Sequence, residues 1–306
     1  MAIAAIYDVP APAKLNLFLH VVGRRADGMH LIQSLMVLID WCDIIHVEPR
    51  ADGLLRRHDS AAELPVDDLS LRAARALQLA SGTALGVDIT VDKRVPWGAG
   101  LGGGSSDAAS TLIALNRLWR LDWPLERLLP IGLGLGADVP FFLAGANAFA
   151  SGIGERLLPA EVDPAWFAVV KPATALATAE VFARPEVAER VAAVRIAGFP
   201  EAVPGVDAEP GPHGETGPRL AEGFGTNDLQ AAAEALCPDV ERAAAVLRRT
   251  YGNSRMTGSG SAVFARAGSG AAPSAAMPSD WPPGWSGRMC RSLRHHPLAS
   301  WAESGR

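Results

Sequence analysis

Lysine is nearly missing from this chain. Lys14, Lys93 and Lys171 are the only three among 28 basic side chains, and the other 25 are arginine. Generic surface charge is therefore arginine, and a lysine here is expected to need its compact ammonium. Cysteine is scarce as well. Cys42, Cys237 and Cys290 are scattered without a CxxC spacing, which argues against a disulfide framework or a zinc site and for a reducing, cytoplasmic setting. Excess positive charge is absent: a net charge of −5 leaves no footprint for nucleic acid. No apolar run approaches the roughly 20 residues that span a bilayer. The opening MAIAAIYDVPAPAK has no basic segment ahead of an apolar one, so no signal peptide is expected. What remains is a soluble globular chain whose 306 residues and 49% hydrophobic content predict two domains, 1–162 and 163–306.

Glycine is not lacking. VPWGAGLGGGSSDAAS, Val95 to Ser110, is almost bare backbone. Upstream, Ala13, Leu15, Leu17 and Leu19 alternate with Lys14, Asn16, Phe18 and His20, which predicts a strand with Lys14 and Asn16 on one face. RRADG (24–28) carries an Asp-Gly turn signal, Leu31 to Ile39 reads as a second strand, and Asp43 to Glu48 continues the sheet. Helical spacing runs from Asp68 to Leu79 and from Ser105 to Trp119, with Ser105 or Ser106 as N-cap of the latter; Val87 to Val91 reads as a strand. AWFAVVKP opens the second domain, Asn227 to Arg249 reads as one helix, and MTGSGSAVFAR as a turn entering a strand. Phe199 to Gly225 reads as a long surface loop, and from about Gly268 the chain reads as a low-complexity tail.

A run of glycines between a strand and a helix lets backbone N–H groups converge at the positive end of the helix dipole, which is an anion site; a tight turn is the bland alternative. No lysine follows the glycines, so this is no Walker A loop. Gly98, Gly100 and Gly103 match GxGxxG, but TLIALNRLWRL continues the helix and leaves no second strand for a dinucleotide fold. No VAIK, HRD or DFG counterpart marks a protein kinase.

PWGAGLGGGSSDAA resembles the phosphate-binding motif of the GHMP kinases. PAKLNLFLHVVGRRADGMHLIQSLM, GADVPFFLAG and MTGSGSAVFA resemble the other motifs of one branch of that family, in the right order from about Pro12 to Arg266. The resemblance implies an α/β fold with a ribosomal S5-like N-terminal domain, a ferredoxin-like C-terminal domain and an active site in the cleft between them. It also implies ATP-dependent phosphorylation of the 2-hydroxyl of a cytidyl diphosphate sugar alcohol in non-mevalonate isoprenoid synthesis. ATP, with Mg2+, would lie against Pro96, Trp97, Gly98, Ala99, Gly100, Leu101, Gly102, Gly103, Gly104, Ser105 and Ser106. No pattern marks the Mg2+ ligands. Gly103 is expected to need a positive φ.

Alone, Asp138 reads equally as a helix cap before Pro140 and as a cleft carboxylate, and Lys14 as an edge charge. The resemblance makes them the catalytic pair. It makes Asn16 a substrate contact and His30 the partner of the cytosine, while Phe182 is either a stacking or a core ring. Asn227 and Asp228 match a family pair that caps a helix, and TGSGS (257–261) a turn that closes around phosphates. Two positions depart from the family: Met29 where an aromatic on the cytosine is common, and Asp68 where an asparagine is usual near the adenine. The expected partner is a small molecule, with neither nucleic acid nor membrane, and the expected state a monomer or weak homodimer. The alternatives are a GHMP kinase with another acceptor, such as homoserine or mevalonate, and a catalytically silent ligand-binding relative.

Overall fold

Apolar alternation builds β1 (Ile6–Arg24), and the Asp-Gly turn returns the chain as β2 (His30–Arg50). The turn closes where Gly28 adopts φ +88° and Arg25 N–H donates to the Met29 carbonyl at 2.7 Å. A computed structural model describes residues 4–59, 64–190 and 225–302. The expected surface loop, Phe199 to Gly225, lies outside the described residues except for Gly225. β3 (Leu55–Asp59), α1 (Leu69–Ser81), β4 (Gly86–Asp92), α2 (Gly103–Leu118), α3 (Leu125–Leu135) and α4 (Val139–Ala144) come next in the chain. They are succeeded by β5 (Ala148–Ser151), β6 (Arg156–Pro159), β7 (Trp166–Lys171), α5 (Thr178–Phe182) and α6 (Pro185–Arg190). α7 (Gln230–Leu236), α8 (Asp239–Tyr251), β8 (Arg255–Met256), β9 (Val263–Arg266), β10 (Ser286–Arg291) and α9 (Ala299–Ala302) complete the described chain.

The described residues form two sheets, one in the order β3-β4-β2-β5-β6 with β1 beside β2, the other in the order β10-β7-β9-β8. Helices α1 to α4 cover the first sheet through a core that includes Leu38, Ile89, Leu112, Phe141 and Phe142, all fully buried. α7 and α8 cover the second through Leu229, Val240 and Leu247. A third apolar cluster joins the sheets. It sets Ala13, Leu15 and Ile39 against Phe167, Val169 and Phe264, with Ala99 and Leu101 of the glycine loop included. The site is built along that seam. No described helix is long and apolar enough to cross a membrane.

Four expectations change. The alternation in β1 does not run through, because the pairing with β2 shifts register between Asn16 and Phe18. Such a bulge re-aims the side chains beyond it, so Leu19 joins the core under α7 rather than the seam. Helix α2 begins at Gly103, with Gly102 (φ +72°) as N-cap instead of Ser105 or Ser106. Pro238 divides the expected single helix into α7 and α8, since proline succeeds a helix end more readily than it continues a helix. Finally, the expected tail contains β10, paired to β7 from Ser286 to Arg291, and α9. Low complexity is confined to the connection between β9 and β10, and the strand and helix beyond it are ordered by pairing and burial.

Candidate active site

Residues 14–16 of β1 are hydrogen-bonded to two glycine turns and not to a neighbouring strand alone. Lys14 N–H donates to the Leu101 carbonyl at 2.9 Å, and Asn16 N–H donates to Thr257 Oγ1 at 2.9 Å. The turns interlock through bare backbone. A Cβ on Gly100 would lie 2.2 Å from the Thr257 carbonyl oxygen, and one on Gly258 would lie 2.8 Å from that of Gly100. Both glycines also have positive φ, +73° and +55°. Gly103, expected to share that conformation, is an ordinary first residue of α2, and the left-handed positions are Gly98, Gly100 and Gly102. The loop therefore ends with its amides gathered at the N-terminus of a 16-residue helix, the geometry that receives anions.

Lys14 is 3% exposed, not an edge charge. Its Nζ lies 3.5 Å from Asp138 Oδ2 and donates to Asn16 Oδ1. Asn16 Nδ2 in turn donates to Ser34 Oγ at 2.7 Å, and Ser34 Oγ to the Phe18 carbonyl at 2.6 Å. Both ends of the Asn16 amide are thus engaged, and the ammonium is held in place. Asp138 occupies the N-cap position of α4 but makes no side-chain capping bond. Its carboxylate, 32% exposed, is left to the cavity and to Lys14.

Both residues line a cavity of about 1200 Å³. That exceeds the roughly 300–1000 Å³ usual for one drug-sized ligand and leaves room for two. Every expected site residue except Ser106 lines it; Ser106 is fully buried within the fold. Its lining includes Pro96 to Ser105 with Lys93 and Asp68 on the one hand, and Met29, His30 and Phe182 on the other. His30 and Phe182 stack on one another, ring centroids 4.8 Å apart at 25°. Burial, then the nearby Arg24 guanidinium, lowers the His30 pKa, which favours a neutral ring with one donor and one acceptor. Phe182 also packs on the second core, in line with its reading as a core ring. Met29 is 47% exposed within the cavity wall. Asp68 accepts from Ser70 and Leu71 N–H as the N-cap of α1 and pairs with Arg57 at 2.8 Å, which accounts for a carboxylate there. Asn227 and Asp228 are structural: Nδ2 of Asn227 holds the Met256 and Gly258 carbonyls at 2.8 Å, and Asp228 accepts from Val21 N–H at 3.0 Å.

Sequence reasoning gave no role to Lys93. Its Nζ bridges Asp43 at 2.5 Å and Asp107 at 2.8 Å, while Asp43 also accepts from the Arg94 and Val95 amides. The network ties the entry of the glycine loop to β2 and α2. Burial, with the second carboxylate close by, raises the Asp107 pKa. Its other oxygen has no partner among the described residues. Lys171 donates to the carbonyls of Pro172, Ala173 and Thr174, and Ser261 Oγ donates to the last of these. All three lysines are buried and held, as their scarcity suggested.

Comparison with known proteins agrees with this geometry. The family model described as "GHMP kinases N terminal domain" matches residues 68–146, and "GHMP kinases C terminal" matches 213–276. The 4-diphosphocytidyl-2-C-methyl-D-erythritol kinase of Methylibium petroleiphilum is 57% identical over 304 residues, 99% of this chain and 100% of that one. The kinase of the same name from Variovorax paradoxus is 51% identical, covering 97% and 99%. A crystal structure of 4-(cytidine 5'-diphospho)-2C-methyl-D-erythritol kinase superposes with a TM-score of 0.66 at 34% identity, over 84% of this chain and 89% of that one. A mevalonate kinase, 13% identical, shares the fold with a TM-score of 0.60 over 94% and 99%. With two glycine turns closing on a buried lysine paired with a cleft aspartate and full-length relatives at this identity, the chain belongs to the 4-diphosphocytidyl-2-C-methyl-D-erythritol kinase family of the GHMP kinases.

Proposed function

We propose that the protein transfers the γ-phosphoryl group of ATP to the 2-hydroxyl of 4-diphosphocytidyl-2-C-methyl-D-erythritol. The observation that carries the reading is the Lys14–Asp138 pair at 3.5 Å, in one cavity with the glycine loop and the His30–Phe182 stack. In this reading the loop amides from Gly98 to Ser105 hold the triphosphate. Met29, His30 and Phe182 hold the cytidine end. Asp138 orients the acceptor hydroxyl and takes its proton, and a loose transition state asks little more of a base. The ammonium of Lys14, fixed by Asn16, offsets charge on the transferring group at the moment it spreads over the equatorial oxygens.

Mg2+ fits as a companion of ATP. The described residues contain no cluster of three or more His, Cys, Asp or Glu, and the cavity lining includes the Asp138 carboxylate and the Ser105 hydroxyl. One carboxylate with phosphate oxygens and water is an ordinary magnesium set. The ion would supply further charge neutralisation at the phosphates. One chain furnishes both walls of the cavity, in keeping with a monomer or weak homodimer, and the three free cysteines suit the cytoplasm.

An ATP-consumption assay across purified acceptors tests the reading. Turnover is expected with the cytidyl diphosphate sugar alcohol and not with homoserine or mevalonate. Preference for either of those overturns the acceptor, and no consumption with any overturns the kinase.

A further inference from the structure

Two of the three lysines face carboxylates: Lys14 lies by Asp138, and Lys93 bridges Asp43 and Asp107. Lys171, the last residue of β7, is only 7% exposed and has no acidic partner within ion-pair distance among the described residues. Its Nζ donates instead to three successive carbonyls, those of Pro172 at 2.7 Å, Ala173 at 3.0 Å and Thr174 at 3.2 Å. An ammonium taken out of water without a counter-charge weakens a fold, so stability alone gives no reason for one here. Its geometry does. Three donors splayed from one nitrogen can meet three carbonyls that converge on a point, whereas a guanidinium spreads its donors in a plane.

The gathered residues run between two glycines. A Cβ on Gly98 would lie 2.5 Å from that of Ala175, and one on Gly284 would lie 3.1 Å from that of Ala173. The Thr174 carbonyl accepts from Ser261 Oγ as well as from Lys171, and Leu176 N–H donates to the Gly98 carbonyl. The connection that leaves β7 is thus tied to both glycine turns before it enters α5. At the start of α5, Thr178 Oγ1 lies 2.8 Å from Ser259 Oγ; at its end, Phe182 stacks on His30. One five-residue helix therefore joins the second glycine turn to the His30 ring, and Thr178, Ala179 and Phe182 all line the cavity. Lys171 does not line it.

We propose that Lys171 is a positioning residue: by fixing the turn at 172–174 from which α5 departs, it sets the distance between the glycine turns and the His30–Phe182 stack. The inference rests on the reading of that stack as the acceptor's cytidine contact and of the glycine loop as the seat of ATP. A loosened turn leaves ATP bound as before but carries the acceptor out of line with the γ-phosphoryl group, where a displacement of about 1 Å is costly.

The test assays Lys171→Met, Lys171→Arg and Ser261→Ala for kcat and for both KM values, with thermal melts to establish folding. In Lys171→Met the acceptor KM should rise and kcat fall, together lowering kcat/KM for the acceptor by about 10- to 100-fold, while the KM for ATP stays within about threefold. Lys171→Arg, which keeps the charge but not the three converging donors, should fall with it. Ser261→Ala frees the same Thr174 carbonyl from its other side and should move the same two parameters, by less. Wild-type kinetics in folded Lys171→Met or Lys171→Arg, whatever the Tm, overturns the proposal, and so does a KM for ATP that climbs with the acceptor's. Were Lys171→Met not to fold, an unchanged acceptor KM in Ser261→Ala would overturn it by itself. Intact protein that turns over no cytidyl diphosphate acceptor overturns the proposed function instead, and the assigned spacing with it.

Discussion

Asp138 stands where a helix cap would stand, yet its side chain caps nothing. Its exposed carboxylate and its distance to Lys14 suit a base held ready in a cleft. Asp138→Asn keeps shape and hydrogen bonding but not basicity. Its kcat is expected to fall by about 10² to 10⁴ while the KM for ATP moves less than about threefold; steady-state kinetics with either substrate varied reads both. Asp107 makes a different demand. Its pKa is raised by burial, so the folded state holds this proton more tightly than the unfolded chain does. The stability it gives is full below the ordinary carboxylate range and drains away as pH rises from there toward the raised value. Asp107→Asn, neutral at every pH and still able to accept from Lys93, should flatten that decline. Thermal melts of both proteins from about pH 5 to 8 should diverge, with the wild type losing more Tm on the alkaline side. Parallel melts would show that Asp107 carries the same charge in both states.

At the scale of elements, the same residue type does two unlike jobs. Gly82 ends α1 at φ +68° with nothing within 4 Å of a Cβ, so Gly82→Ala costs about 1 kcal/mol of backbone strain and no more. Gly100 has a similar φ but faces the Thr257 carbonyl, a backbone group that cannot swing aside. Gly100→Ala should part the two glycine turns and cost about 100-fold in kcat/KM, where a misplacement of about 1 Å suffices. Equal activity in the two variants, measured on folded protein, would deny the turns their joint role. The contrast also shows what the sequence could disclose. The strand–glycine–helix order, the Asp-Gly hairpin and the Lys14–Asp138 pair are local patterns or motifs, and they were legible. The bulge after Asn16 depends on how β1 pairs with β2, and Lys93 serves a carboxylate 50 residues away; pattern alone does not name such a partner. Asn16 is tied to Thr257, 241 residues on, which no local signal announces. Lys93 left one trace, the rarity of lysine.

For the molecule as a whole, the segment after β10 matters most. Leu293 N–H donates to the Leu38 carbonyl at 2.8 Å, Asn147 Nδ2 to the Leu293 carbonyl, and His296 N–H to the Gly145 carbonyl at 2.8 Å. The chain thus leaves the second sheet and returns to the first, against the helix that Asp138 begins. His296 is 2% exposed; Nδ1 accepts from Leu298 N–H, and Nε2 faces Ser110 Oγ at 3.4 Å. Burial lowers its pKa from 6.5 to about 4. A neutral imidazole so placed contributes stability that is complete above pH 6.5 and is lost as pH falls toward 4, about 3 kcal/mol at most. Melting curves should show the wild type losing Tm over that interval, and His296→Leu should lack the loss. Deleting residues 286–302 should leave less than about a hundredth of the activity, since it strips an edge strand and the cover of α4 together; activity within about tenfold of the intact chain would make the segment an ornament.

That crossing also sets a clock. The first sheet is complete in sequence at Pro159, but Leu298, a buried member of its core, is translated about 140 residues later. At about 5 to 20 residues per second, the nascent sheet waits roughly 7 to 28 s with the seat of Leu298 open. Until synthesis reaches Leu298 the first sheet is complete in its strands but open in its core, and a chain that stops short of that residue never closes.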